Sequence, residues 1–75
     1  MAKHKNNVRD IRESLLMSKA ELARRAGVSP ITIDRIERGE SCRMETKRKL
    51  ILALNLQISE KARVFPELAD EERGV

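Results

Sequence analysis

Apolar residues recur at intervals of three and four along most of this chain, which is the period of an α-helix. Val8, Ile11 and Leu15 form the first such stripe and predict a helix from about Asn7 to Leu16. Arg12 lies on the flank of that stripe, four residues after Val8. We expect its charge to meet a partner inside the fold, because the flank of an apolar stripe faces the core's edge.

Ser18 and Glu21 predict the start of the second helix, because they have the Ser-x-x-Glu spacing of a capping box. We therefore predict a helix over 19–26. Gly27 should end it, because glycine adopts the left-handed backbone of a helix end at the least cost. The residues on its inner side are Leu22, Ala23 and Ala26.

A third helix follows almost at once, with Ser29 as its N-cap and Pro30 as its first residue. Only Val28 separates Gly27 from this cap, so the turn is tight. The helix is predicted over 30–38. Its inner side carries Ile33 and Ile36, with Glu37 at the inner flank, and its outer side carries Ile31, Asp34, Arg35 and Arg38.

The remaining pattern predicts two further helices and no strand, so the chain should be an all-α domain. Helix 4 is expected from Met44 to Leu54, ended by Asn55, and a fifth helix from Ser59 to Phe65. The inward residues of helix 4 are Leu50, Ile51 and Leu54. The domain would occupy residues 7–66, between a basic flexible arm at 1–6 and an acidic, frayed tail at 67–75.

The composition narrows the possible classes of protein. Seventy-five residues make one small domain with a thin core, and no stretch approaches the roughly 20 apolar residues of a membrane helix. The chain has no secretory signal pattern, so we expect an intracellular protein. Cys42 cannot form an internal disulfide, and with His4 alone it cannot make a structural zinc site. We expect no metal, no cofactor and no catalytic arrangement.

The charge is unevenly distributed along the chain. Residues 1–50 carry 13 Lys and Arg against 7 Asp and Glu, whereas residues 51–75 carry 3 against 5. The basic part favours an anionic partner, nucleic acid before a membrane surface. A merely solvated charged surface is the alternative, because the net charge of +4 is modest.

Two short helices joined by a turn with a glycine have the geometry of a helix-turn-helix, whose second helix enters the major groove of DNA. A generic corner between two helices has the same outline. The residues sharpen the comparison: Ser18 to Gly39 resembles the helix-turn-helix of the Cro/repressor-like (XRE) family. The matching segments are Glu21-Leu22-Ala23, Gly27-Val28-Ser29, Thr32-Ile33 and Arg35-Ile36-Glu37-Arg38-Gly39.

The resemblance covers roughly residues 8–58 and implies a compact, five-helix, lambda-repressor-like domain that regulates bacterial or phage transcription. Four positions depart from the family pattern. Lys19 replaces the usual Gln at the start of helix 2, and Leu16 stands where the family often has Gly. In helix 4, Lys47 and Arg48 replace apolar residues, so part of that helix is expected to face solvent or phosphate.

The resemblance also assigns roles to individual residues. Those at the base-reading positions are Pro30, Ile31, Thr32 and Arg35. Arg35 can donate two bonds to guanine, and Ile31 can pack on a thymine methyl. The alternatives are an incidental surface isoleucine and an arginine paired with Glu37 or Asp34. The charge pattern, apart from the resemblance, predicts phosphate contacts at Ser18, Lys19, Arg38, Arg43 and Lys47, because Lys19 begins helix 2 and the cations at the start of helix 4 oppose its dipole. Arg12 and Glu37 match the positions of an ion pair between helices 1 and 3.

Two hypotheses for function follow. The first is a sequence-specific, double-stranded DNA-binding regulator, a cytoplasmic and nucleoid-associated repressor that binds as a homodimer. Of the apolar residues late in the chain, Leu56, Ile58, Val64 and Phe65, we expect some to pack helix 5 on the core and some to form the dimer surface. The second is an antitoxin-like protein-interaction module with secondary DNA binding, whose acidic segment 67–72 would contact a protein partner.

Overall fold

Every regular element of residues 6–69, the part of the chain that the computed structural model describes, is helical. The α-helices are α1 (Val8–Ser14), α2 (Lys19–Ala26), α3 (Pro30–Glu37), α4 (Met44–Ala53) and α5 (Lys61–Val64), and the 3₁₀ turn Ile58–Glu60 leads into α5. The predicted all-α fold is confirmed, and α2 has the predicted bounds. None of these helices has the length and apolarity that crossing a membrane requires.

Two serine caps fix the starts of α2 and α3. The hydroxyl of Ser18 accepts from the backbone N–H of Glu21 at 3.0 Å. That of Ser29 accepts from the backbone N–H of Thr32 at 3.1 Å. The Glu21 carboxylate pairs with Arg25 instead of completing the predicted capping box. Each cap satisfies a backbone donor that the first turn of a helix leaves free.

The core lies where α2 packs against α3 and α4, with α1 and the C-terminal segment closing it. The predicted inward residues of α2, α3 and α4 are all buried, namely Leu22, Ala23, Ala26, Ile33, Ile36, Leu50, Ile51 and Leu54. Leu15 is a correction: it is 39% exposed, and Met17 is buried instead. The helix ends at Ser14, and the left-handed backbone of Leu16 turns the chain before the predicted stripe is complete.

Both predicted boundaries of the domain are also corrected. Asn6 belongs to the fold, because its side chain accepts from the N–H of Val8 and donates to the carbonyl of Ile36. At the other end Leu68 is 1% exposed and lies in the core. The acidic segment therefore does not fray from residue 67. The rest of the predicted arm and of the predicted tail lies outside the described residues.

Candidate nucleic-acid interface

The outer face of α3 presents the residues that the sequence assigned to base reading. Ile31 is 67% exposed, and Pro30 and Arg35 are exposed as well. Thr32 is half-buried, and its hydroxyl lies 3.0 Å from that of Ser29 at the helix cap. An exposed isoleucine beside an exposed arginine, one turn further along a helix, can make an apolar contact and a hydrogen-bonded contact in one groove.

Arg35 keeps its guanidinium available for an outside partner. Among residues 6–69, no ion pair includes Arg35. The two carboxylates that the sequence offered as alternative partners are engaged elsewhere, Asp34 with Lys19 and Glu37 with Arg12. A free guanidinium has the parallel donors that match the O6 and N7 acceptors of guanine.

The inner side of α3 is attached to α1 by a buried ion pair. Arg12 Nε donates to Glu37 Oε2 at 2.6 Å, and a second guanidinium nitrogen donates to Oε1 at 3.2 Å. The third guanidinium nitrogen donates to the carbonyl of Met17 at 2.8 Å. The bond to Glu37 raises the pKa of Arg12 above its ordinary value. Because both groups are buried, this pair constrains how α3 is oriented on the rest of the domain.

A second ion-pair cluster lies on the outside of the helix-turn-helix. Asp34 Oδ1 accepts from Lys19 Nζ at 2.7 Å, and its Oδ2 lies 3.0 Å from Arg38 Nε. The bond from Lys19 holds the pKa of Asp34 below its ordinary range. The spacing of Asp34 and Arg38 along α3 predicts their contact, whereas the contact of Lys19 with the same carboxylate depends on the packing of α2 on α3.

Two more of the expected phosphate contacts lie at helix starts. Ser18 is exposed at the N-terminus of α2, and Arg43 is exposed as the residue before α4. Helix N-termini favour anions, because their first N–H groups point outwards and the helix dipole is positive there. Arg43 is in none of the ion pairs of the described part of the chain. Both side chains are therefore available for phosphate.

Lys47 is in a different environment from the one that the sequence predicted. Its side chain is 16% exposed, and its Nζ lies 2.9 Å from a carboxylate oxygen of Glu67. The same nitrogen lies 5.7 Å from the centre of the Phe65 ring. The C-terminal segment folds back over this side of α4 and takes up the charge. These contacts argue against Lys47 as a phosphate contact, whereas Arg48 is exposed as expected.

Cys42 lies half-buried in the loop between α3 and α4, packed against the core. Burial raises the pKa of its thiol, so the thiolate that would react or bind a metal is disfavoured. Within residues 6–69, no three His, Cys, Asp or Glu side chains are grouped as a metal site requires. Among the described residues, the contacts of Cys42 are those of a side chain that packs the loop on the core.

Comparison with known proteins adds one finding. A helix-turn-helix family model matches residues 8–61, from the first residue of α1 to the first residue of α5. No curated protein and no solved structure matches the chain. The match thus covers every residue of the outer face of α3 and both ion-pair clusters.

Proposed function

Because the chain belongs to the Cro/C1-type (XRE) helix-turn-helix family, whose members are DNA-binding regulators and not enzymes, we propose that it represses transcription at an operator. In this proposal α3 enters the major groove, where Pro30, Ile31, Thr32 and Arg35 meet base edges. Ser18, Lys19, Arg38 and Arg43 contact phosphates at its flanks. The protein is then nucleoid-associated in the cytoplasm, where the operator lies.

One observation carries the proposal: Arg35 is exposed, is in no ion pair of the described residues, and lies one turn from the exposed Ile31 on the outer face of α3. No carboxylate lies three or four residues from Arg35 in the chain, which is the spacing at which helix side chains face each other. The guanidinium of Arg35 is therefore available for a base. Ile31 beside it supplies an apolar contact that a solvated face does not need.

The test is selection from a pool of random duplexes at two salt concentrations. We expect an enriched palindrome, and we expect Arg35→Ala to lose about 1–3 kcal/mol of discrimination at one base pair in each half-site. Arg63→Ala is the matched control, because Arg63 is 62% exposed and lies in α5, outside the helix-turn-helix. Steep salt dependence without any enriched sequence would contradict sequence-specific binding.

Symmetric half-sites call for a dimer, and we place its interface along α4 and the turn before α5. Of the four late apolar residues named in the sequence analysis, Val64 and Phe65 are in the core and Leu56 packs against it. Ile58 remains 40% exposed, and Met44, across the same shallow groove, is 52% exposed. Apolar surface of this kind is a candidate for self-association.

The antitoxin-like alternative has less support. It uses the acidic segment 67–72 to contact a protein partner. Glu67 is engaged with Lys47, and Leu68, which follows it, is buried. The start of that segment therefore serves the fold of its own chain, and residues 70–72 lie outside the described part.

A further inference from the structure

Asp34 stands out on the outer face of α3, because it is an acidic side chain on the face that is proposed to meet polyanionic DNA. Its two oxygens have separate partners: Lys19 from α2 on one and Arg38 from the end of α3 on the other. Both of these cations are expected phosphate contacts. One carboxylate thus holds two of the groups on which DNA affinity depends.

These bonds compete with phosphate binding. Lys19 and Arg38 are 44% and 72% exposed, so each can turn from the carboxylate to a phosphate without unpacking the core. When they do so, Asp34 loses its partners while it lies close to the DNA. An ionised carboxylate left without partners near phosphates raises the free energy of the complex, because like charges repel and the carboxylate has been removed from water.

The penalty is relieved only where the DNA supplies a donor. Cytosine N4 presents an amino group in the major groove, and aspartate is one of its natural acceptors. Thymine O4 and the guanine O6 and N7 atoms are acceptors and face the carboxylate unfavourably. Adenine N6 is also an amino donor, but the acceptor N7 lies beside it on the same base edge, so a carboxylate meets an acceptor there as well. Asp34 is therefore tolerated at some DNA sequences and repelled at others, although it adds nothing to the sequence-independent attraction between the protein and DNA.

We propose that Asp34 is a specificity-determining residue, which restrains Lys19 and Arg38 so that both are released to phosphates only where a cytosine amino group replaces them. The inference rests on the proposed function, because it requires α3 to enter the major groove. Its immediate effect is to weaken binding to random sequence. Its second effect is a cytosine preference at one position of each half-site.

The experiment compares Asp34→Ala with wild type on a random-sequence duplex and on the duplex that wild type enriches. We expect Asp34→Ala to bind the random duplex roughly 3- to 10-fold more tightly. We also expect the slope of log affinity against log salt to steepen by about 1 to 2, because each new phosphate contact adds about 0.9 to its magnitude. The preference for cytosine should disappear. Asp34→Glu should restore the wild-type slope in part, since it returns the charge.

Asp10→Ala is the matched control, because it removes the same charge from an exposed site on α1 that is in no ion pair of residues 6–69. It should change random-duplex affinity less than twofold. In a double variant with Lys19→Met, the gain from Asp34→Ala should shrink, since one restrained cation is absent. A purely structural role of Asp34 moves the unfolding temperature and leaves the salt slope unchanged.

The proposed function and the role of Asp34 can be contradicted separately. If wild type enriches no sequence, the proposed function is wrong and this inference is wrong with it. If wild type enriches a palindrome while Asp34→Ala and Asp10→Ala change affinity and slope equally, the inference alone is overturned. The effect of Asp34 is then only its contribution to net charge.

Discussion

The backbone of Leu16 has a left-handed conformation that leucine seldom adopts, with φ of 55°. The backbone is also left-handed after each of the next three helices, at Gly27, Gly39 and Asn55. Glycine and asparagine are residue types that tolerate this conformation. Leu16 still completes the helix end, since Met17 N–H bonds to the carbonyl of Arg12 at 3.1 Å. Its side chain is 93% exposed, so packing does not compensate for the strain.

Replacing Leu16 by glycine should therefore stabilise the domain. Removing the clash of a Cβ in left-handed backbone contributes about 1–2 kcal/mol, and the extra freedom of glycine in the unfolded chain takes back about half of that. We expect a gain of about 0.5–1 kcal/mol in the free energy of unfolding, measured by urea denaturation. The control is Leu15→Gly, because Leu15 has a negative φ of −95° and should lose stability. A loss in Leu16→Gly would show that the exposed leucine stabilises the fold.

Among the helices, α3 is held by ion pairs from two sides. The buried pair Arg12–Glu37 joins it to α1, and the exposed cluster of Asp34 joins it to the start of α2. The two attachments differ in energy. Exposed pairs contribute about 0–1 kcal/mol each, whereas breaking a buried pair is expensive because the remaining charge has no partner.

Glu37→Ala should therefore destabilise the protein by about 3–5 kcal/mol, since it leaves the Arg12 guanidinium buried without its carboxylate. Glu21→Ala, which removes a half-exposed carboxylate paired with Arg25 on α2, should cost less than about 1 kcal/mol. Unfolding monitored by circular dichroism in urea measures both. The double variant Arg12→Met with Glu37→Leu should recover much of the loss. If Glu37→Ala costs no more than Glu21→Ala, the pair does not fix α3.

At the scale of the whole molecule, the division of the chain into a basic part and an acidic end is altered by folding. Glu67 of the acidic end neutralises Lys47 of the basic part, so neither acts as an isolated surface charge. The cations that remain exposed near α3 are Lys19, Arg35, Arg38 and Arg43. This grouping on one helix-turn-helix is what the net charge alone does not reveal.

The proposed dimer interface can be tested by substitution of Ile58. Ile58→Glu should weaken self-association at least tenfold, because it places a charge in an apolar contact. Leu52→Glu is the control: Leu52 is 54% exposed on α4 and does not line the groove of Ile58. Sedimentation at several protein concentrations measures both. A wild-type protein that stays monomeric at high concentration would contradict the dimer.

The starts of α2, α3 and α4 and the outer face of α3 follow from the sequence, because they depend on residues three or four apart. The caps at Ser18 and Ser29, the end at Gly27 and the exposure of Ile31 and Arg35 follow from local spacing. It also pointed to Arg12 and Glu37 as partners, through their place on apolar flanks and the family resemblance.

The packing of the helices determines which charges meet when their residues are far apart in the chain. Lys19 reaches Asp34 across the turn, Lys47 is covered by the segment of Glu67, and Leu68 fills the core. An apolar residue three positions after Phe65 was the local signal for Leu68, but the surrounding acidic residues obscured it. The spacing of residues within one helix does not predict such contacts, because it carries no information about which side chain of another element lies opposite.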